Sequence, residues 1–487
     1  MSYSVDLSDL DREKGSLRRQ IVDRFIRAVD AGELPPEARV PSTRQIAAVA
    51  GVNHLTAVRA MRDLAASGYV YTVPRSGTFV RRSTPGNPPA GADWQFGVLP
   101  PSNPLAEHHY DTRARSAMPG MVSLALGWPA PELRPREALR RHAEVALAEH
   151  MDEITDYGDP AGAADLREAI AARWKATGAV RHARDVVVTN GASQGLHLVL
   201  RAVVEPGDLV AVESPTYAGV LDAVRSCGAQ VIGIPVDSEG FQVDVLARVL
   251  RRKEVKLCVL QPDHHNPTGV STTAPRRQQL ARLAETRGMF VLEDAAYADL
   301  GFTGETGTSL RYLAPDHTIH VGTLSKSVAG GLRIGWTSAS GPALRRIAAR
   351  KMAADYHTPV LTQLIVAGFL ASGDYDDHLQ SARSTYRRRA AILSDALEHH
   401  MPGRYTYPAP SGGHHLWVSF TEPVDEETLY VECHRTGVLY TRPSDVLCTE
   451  QTATSIRLSF CHAPLDDLTE GAARLARALR KVHIARA

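Results

Sequence analysis

Lys326 stands between two hydroxyl residues, Thr323 and Ser325, and is followed by Gly330, Gly331 and Arg333. That set suits a phosphorylated aldehyde: an amine to form an imine, with hydroxyls and a guanidinium for the phosphate. The glycine pair lets the backbone pass close to a ligand. Upstream, Asp185–Thr189 reads as a buried strand that delivers Asn190-Gly-Ala-Ser-Gln-Gly195 to an apolar helix. A strand, a glycine loop and a helix N-terminus make an anion site, because backbone N–H groups and the helix dipole face the charge together. Taken singly, each has a plainer reading: a surface lysine and an ordinary loop.

Six separated words agree on something more specific: Thr323–Trp336, Asn190–Gly195, Ser214-Pro-Thr-Tyr217, Asn266-Pro-Thr-Gly269, Asp294 with Tyr297, and Ser455–Phe460. Together they resemble the motifs of fold-type-I pyridoxal 5'-phosphate (PLP) enzymes, the aspartate-aminotransferase superfamily. The resemblance implies that Lys326 is the catalytic Schiff-base lysine. It puts Asp294 beside the pyridine nitrogen, keeping it protonated so that the ring is an electron sink. It puts Tyr297 and Asn266 at the cofactor 3-oxygen, and Tyr217 stacked on the ring. Ala192, Ser193, Gln194, Thr323, Ser325 and Arg333 fall at the phosphate. Tyr157 is expected to reach across a dimer to the other subunit's phosphate. Arg457 is expected to clamp the carboxylate of a substrate or effector, a task for a planar guanidinium. Many regulator relatives have an apolar residue in place of Asn266, so here the chain leans toward the catalytic pattern.

The elements that must position these residues read as α/β. Short apolar strands (Val122–Gly127, Leu209–Glu213, Leu257–Leu260, Phe290–Leu292) alternate with helices such as Pro135–His150 and one starting near Ala163. The expected fold is a fold-type-I transferase: a mainly parallel, seven-stranded-type sheet between helices, with a small C-terminal α+β domain. Helices are expected through Leu344–Leu370 and Leu379–Leu397, with Arg387, Arg388 and Arg389 on a solvated face. Strands are expected at Pro410–Val418 and Ser455–Phe460.

The first 82 residues have another grammar. Leu17, Ile21, Phe25 and Val29 recur at helical spacing. Ser42 and Gln45 have capping-box spacing for a second helix, and Asn53 caps a third. Tyr69–Val73 and Thr78–Val80 flank the turn Pro74-Arg-Ser-Gly77 as two strands. This is a winged helix-turn-helix, and its words resemble the GntR family of bacterial DNA-binding domains. The resemblance implies DNA contacts at Arg44, at Asn53, His54 and Thr56 on the reading helix, and at Arg75 and Gly77 on the wing. Asn53-His54 replaces the Ser-Arg common in that family, so its base preference is expected to differ.

The charge balance fits a basic head. Residues 1–82 hold 13 Lys+Arg against 9 Asp+Glu, whereas the whole chain is near neutral at +1. Five scattered cysteines without a CxxC pair give neither a disulfide framework nor a zinc site. His264 and His265 have no third ligand nearby, so no metal is expected. No signal peptide or membrane span is read, and a reducing cytoplasm is expected.

The expected division is 1–82 for the winged helix, 83–115 for a Pro-rich linker, 116–370 for the large PLP domain and 371–487 for the small domain. The order matches MocR-type regulators. That resemblance implies a head-to-tail homodimer whose two heads bind two half-sites on double-stranded DNA, and a PLP or amino-compound effector. Two alternatives stay open: a working aminotransferase on an amino acid and a 2-oxo acid, and a module that senses PLP alone.

Overall fold

The computed structural model describes residues 16–30, 38–66, 69–73, 77–80, 112–448 and 455–484, and single positions 5, 7, 10, 34 and 110. The chain divides into two compact units, Met1–Ser102 and Asn103–Ala487. The Pro-rich stretch up to residue 109 lies outside the described residues. Residues 112–115, expected within the extended linker, are helical instead, in a helix that runs to residue 116.

The first unit packs helices α1 (Leu17–Asp30), α2 (Thr43–Val49) and α3 (His54–Ala66) against a small antiparallel sheet. Its strands β1 (Arg39–Val40), β2 (Val70–Val73) and β3 (Gly77–Val80) lie in the order β1-β3-β2. Ile21 and Phe25 of α1, Ile46 of α2, Met61 and Leu64 of α3, and Val70 and Val80 of the sheet bury together. The apolar stripe at helical spacing thus finds its partner stripes. The expected capping box closes: Gln45 N–H donates to Ser42 Oγ at 3.3 Å and Ser42 N–H to Gln45 Oε1 at 2.9 Å. Asn53 Oδ1 accepts Thr56 N–H at 2.8 Å, which starts α3.

The second unit is built on one sheet, β5-β12-β11-β10-β9-β6-β7-β8. After β4 (Val122–Ser123), the strands are β5 (Val186–Asn190), β6 (Leu209–Ser214), β7 (Gln230–Asp237), β8 (Gly240–Phe241), β9 (Leu257–Leu260), β10 (Phe290–Asp294), β11 (Thr318–Thr323) and β12 (Ile334–Ser338). The run β11-β10-β9-β6-β7 is parallel, and β12 is antiparallel to both neighbours. Seven strands match the expectation, and two-residue β8 extends the edge. Helices cover both faces, which is why the strands read as continuous apolar runs. In β5, Val186 and Val188 enter one core and Val187 the other. The short strand expected within Val122–Gly127 is two residues long, Val122–Ser123, and this β4 pairs with β15 (Val438–Leu439).

A separate antiparallel sheet joins β13 (Tyr405–Thr406), β14 (His415–Phe420) and β16 (Ser455–Ser459). Helix α4 (Ala192–Val203) follows β5. Helices α5 (Gly341–Asp355) and α6 (Val360–Ala371) break at the Tyr356–Pro359 turn, and α7 (Asp374–His400) leads to the small sheet. Arg389 on α7 does not belong to a solvated face. It is 1% exposed, donates to Phe460 O at 2.8 Å and to the Ala463 carbonyl, and pairs with Glu132 at 2.6 Å.

Candidate functional site

The parallel strands β6, β9, β10 and β11 end on one side, and the loops beyond them carry the chemistry, as in open α/β sheets generally. A cavity of about 230 Å³ there is lined by Tyr217, Asn266, Tyr297, Lys326 and Arg457, with Gly127 and His415. Lys326 Nζ–H donates to the Gly127 carbonyl at 3.0 Å. Burial, and the like charges of Arg457 and Arg333, push its amine below the ordinary lysine range.

Asp294 is the last residue of β10 rather than beyond it, and it is buried. Its Oδ2 accepts Gln261 Nε2–H at 2.6 Å and its Oδ1 accepts Ala296 N–H at 3.1 Å. Burial pushes its carboxyl above the usual range. No cationic side chain pairs with it among the described residues. Arg457, from β16, donates to Asn266 Oδ1 at 2.8 Å and to Ala125 O at 2.5 Å, and its buried Nε has no partner. Burial pushes the Tyr217 and Tyr297 hydroxyls up.

At the anion loop, Asn190 ends β5, Gly191 turns at φ 79°, and α4 opens at Ala192. A Cβ on Gly335 would lie 2.6 Å from Gly191 C, and one on Gly191 2.7 Å from an Arg333 nitrogen. The close approach therefore falls at Gly191 and Gly335. A Cβ on Gly331 would meet nothing within 4 Å and one on Gly330 only an oxygen at 3.9 Å, so the protein itself leaves room beside both. Arg333, itself at φ 52°, donates to Asn190 O at 2.7 Å. Gln194 is a strut: its Oε1 accepts Asn190 N–H at 2.8 Å and its Nε2–H donates to Asp355 at 2.7 Å. Asp355 also receives Asn190 Nδ2–H at 2.5 Å and the buried Lys351 ammonium at 2.7 Å. The Thr323 hydroxyl sits 3.0 Å from Ile334 O and 3.1 Å from Ser325 Oγ, which braces the loop that carries Lys326.

Tyr157 is not in this cavity. It is 81% exposed and packs on Tyr356 at 5.2 Å and His357 at 6.2 Å. His265 stands 3.1 Å from Glu213, too poorly aligned for a hydrogen bond through that nitrogen, while its Nδ1 pairs with Thr268 Oγ1 at 2.8 Å. Among the described residues no three His, Cys, Asp or Glu side chains form a metal cluster.

In the head, Arg44 is exposed. His54 Nε2 lies 3.0 Å from Thr43 Oγ1, and the Thr56 hydroxyl donates to Asn53 Oδ1 at 2.9 Å. Gly77 turns at φ 124°, where a Cβ would meet Arg39 Nε at 2.9 Å. Arg75 lies outside the described residues.

Sequence reading missed Gln261, Asp355 and His415. Gln261 precedes the Asn266 motif by five residues, and a polar residue ending the apolar strand Leu257–Leu260 was its only signal. His415, in Pro410-Ser-Gly-Gly-His-His, had none.

Residues 124–475 match the family described as aminotransferase class I and II, and residues 17–80 match the gntR family of bacterial regulatory proteins. The HTH-type transcriptional regulator TauR of Rhodobacter capsulatus is 30% identical over 486 residues, 96% of this chain and 97% of its own length. The 2-aminoadipate transaminase of Thermus thermophilus is 32% identical over 366 residues, 74% of this chain and 91% of its own. Among solved structures, Thermus thermophilus LysN, an α-aminoadipate aminotransferase complexed with N-(5'-phosphopyridoxyl)-L-leucine, matches at TM-score 0.71 and 30% identity, covering 78% of this chain and 99% of its own. The chain therefore belongs to the class I and II aminotransferase family, joined at its N-terminus to a gntR-family helix-turn-helix in the MocR-type arrangement.

Proposed function

We propose that the chain is a PLP-dependent transcriptional regulator, whose head binds DNA and whose body binds PLP and responds to it or to an amino compound. One observation carries the cofactor reading: among the described residues Asp294 is a buried carboxylate without a cationic partner, in the second unit that also holds the Lys326 cavity. A protonated pyridine nitrogen supplies that missing charge. The crowded approach at Gly191 and Gly335 and the bare Nε of Arg457 fit the same group and its ligand. When bound, PLP supplies an aldehyde for an amine and a ring that withdraws electrons from an amino compound.

The chain's own residues divide the remaining work. Lys326, whose amine burial pushes below the ordinary lysine range, offers that amine and moves a proton at the ligand's Cα. Asp294 holds the ring nitrogen, Tyr217 covers the ring, and Asn266 and Tyr297 donate to its 3-oxygen. The backbone N–H groups at Ala192 and Ser193, the Ser325 hydroxyl and Arg333 hold the phosphate. Arg457 takes the ligand carboxylate. Exposed Tyr157 serves the second subunit of a head-to-tail homodimer, and Arg44, Asn53, His54, Thr56, Arg75 and Gly77 meet two half-sites. We keep the division at 82, 115 and 370, and a cytoplasmic setting. The latter is supported by the gntR-family head, whose expected target is DNA; among the described residues no helix is long and apolar enough to cross a membrane.

The regulator reading is supported by likeness to TauR over nearly the whole chain. Its test is a titration of the full chain, with and without PLP, on DNA from its own promoter region. A several-fold change in Kd without turnover is expected, and equal affinity would sink it. A second reading, active transamination, is favoured by Asn266 held against Arg457. Sustained turnover with an amino acid and a 2-oxo acid would establish that one.

A further inference from the structure

His415 lines the same cavity as Lys326, yet no motif that points to PLP gives it a task. It is 1% exposed; Nε2 lies 3.1 Å from Tyr297 Oη, and Nδ1 has no partner. Its surroundings are tight. A Cβ on Gly127 would fall 2.8 Å from His415 Cε1, and a Cβ on Gly269 3.0 Å from its carbonyl oxygen. The Gly127 carbonyl also receives Lys326, so one strap of backbone touches both side chains.

Two tautomers fit the contact. With Nε2 bare, Tyr297 commits its only proton to His415, and Nδ1–H is buried without an acceptor. With Nε2 protonated, it donates to Tyr297 Oη, Nδ1 is a bare lone pair, and the tyrosine proton is free for the cavity. A buried N–H without an acceptor is the rarer and costlier defect. The ring stays neutral in either case. Burial first, then the charges of Arg457 and Lys326 and the neighbouring His414 and His265, push it well below the ordinary histidine range.

We propose that His415 is a positioning residue that donates Nε2–H to Tyr297 and so turns the tyrosine proton into the cavity, toward the cofactor's 3-oxygen. This rests on the PLP reading above. A hydroxyl that receives a hydrogen bond is itself a stronger donor. Donation to the 3-oxygen draws charge from it, so the proton held beside that oxygen leaves at lower pH. Weakening the donor must therefore move that titration upward.

The experiment follows the visible band of the PLP-loaded full chain against pH in wild type, H415Q, H415M and Y297F. Glutamine and methionine have similar length, but only glutamine keeps an N–H. H415M is expected to raise the midpoint by roughly half a unit to one unit. H415Q should stay near wild type, and H415M should add nothing in a Y297F background. Equal behaviour of H415Q and H415M overturns the proposal, as does a H415M shift that survives in Y297F. A wild-type chain that shows no band with PLP refutes the cofactor reading itself, and this inference with it.

Discussion

Gln261 and Asp294 are joined at 2.6 Å, Nε2–H to Oδ2, while Gln261 Oε1 receives Asn266 N–H at 3.0 Å. One amide thus fixes both a carboxylate and the loop that carries Asn266. Gln261→Leu removes both bonds inside the core. It should lower unfolding stability by about 2 kcal/mol and weaken PLP binding roughly tenfold, since Asp294 loses its main donor. Thermal unfolding and a PLP titration check this, and a variant unchanged in both would contradict it.

Lys326 is held below the ordinary lysine range by burial. Between its folded value and that of an unfolded lysine, the unfolded chain binds more protons, so stability from this group rises with pH. Lys326→Met should therefore be more stable than the native chain without PLP at neutral pH. The gap should narrow as pH climbs toward the ordinary lysine range. Unfolding scans across that range give the answer.

Gly191 sits at φ 79° with an Arg333 nitrogen 2.7 Å from where a Cβ would be. Gly191→Ala should cost about 1–3 kcal/mol from the backbone alone, because φ 79° with ψ 168° is a glycine-only conformation. Displacement of Arg333 should also weaken PLP binding more than the stability loss explains. Urea unfolding and PLP affinity measured on one preparation separate the two effects.

Arg389 and Arg388 adjoin in sequence and differ in fate. Arg389→Met should destabilise by about 3 kcal/mol, because two buried carbonyls lose their donors. Arg388→Met should stay within about 0.5 kcal/mol, as an exposed change does. Equal midpoints in denaturant would refute the contrast.

In the head, Arg44→Ala should weaken DNA binding roughly tenfold and reduce the salt slope by about one. Asn53→Ala should cost about 1 kcal/mol of head stability through loss of the α3 cap. Binding isotherms at several salt concentrations and thermal scans distinguish the two.

What was legible in the sequence is what repeats locally. The stripe of α1, the capping box at Ser42 and the valine run of β5 are spelled out within a few residues. Lys326, Asn266, Tyr217, Tyr297 and Arg457, scattered over half the chain, come to one cavity. What stayed hidden depends on remote partners. Tyr297 and His415 are 118 positions apart, and Asn190 and Asp355 are 165 apart. The three successive arginines of α7 read alike until Phe460 and Ala463 select one of them. Crowding within the protein is likewise set by which strands abut, and β5 against β12 puts it at Gly191 and Gly335.

Asp355 closes α5, yet it is fastened to Asn190 and Gln194 at the mouth of β5 and anchored from below by Lys351. The end of that helix is thus tied directly to the anion cradle. Tyr157 rests on Tyr356, the first residue of the bend that follows. That chain of contacts, from Tyr157 through the bend to the cradle, includes none of the side chains that line the ring pocket.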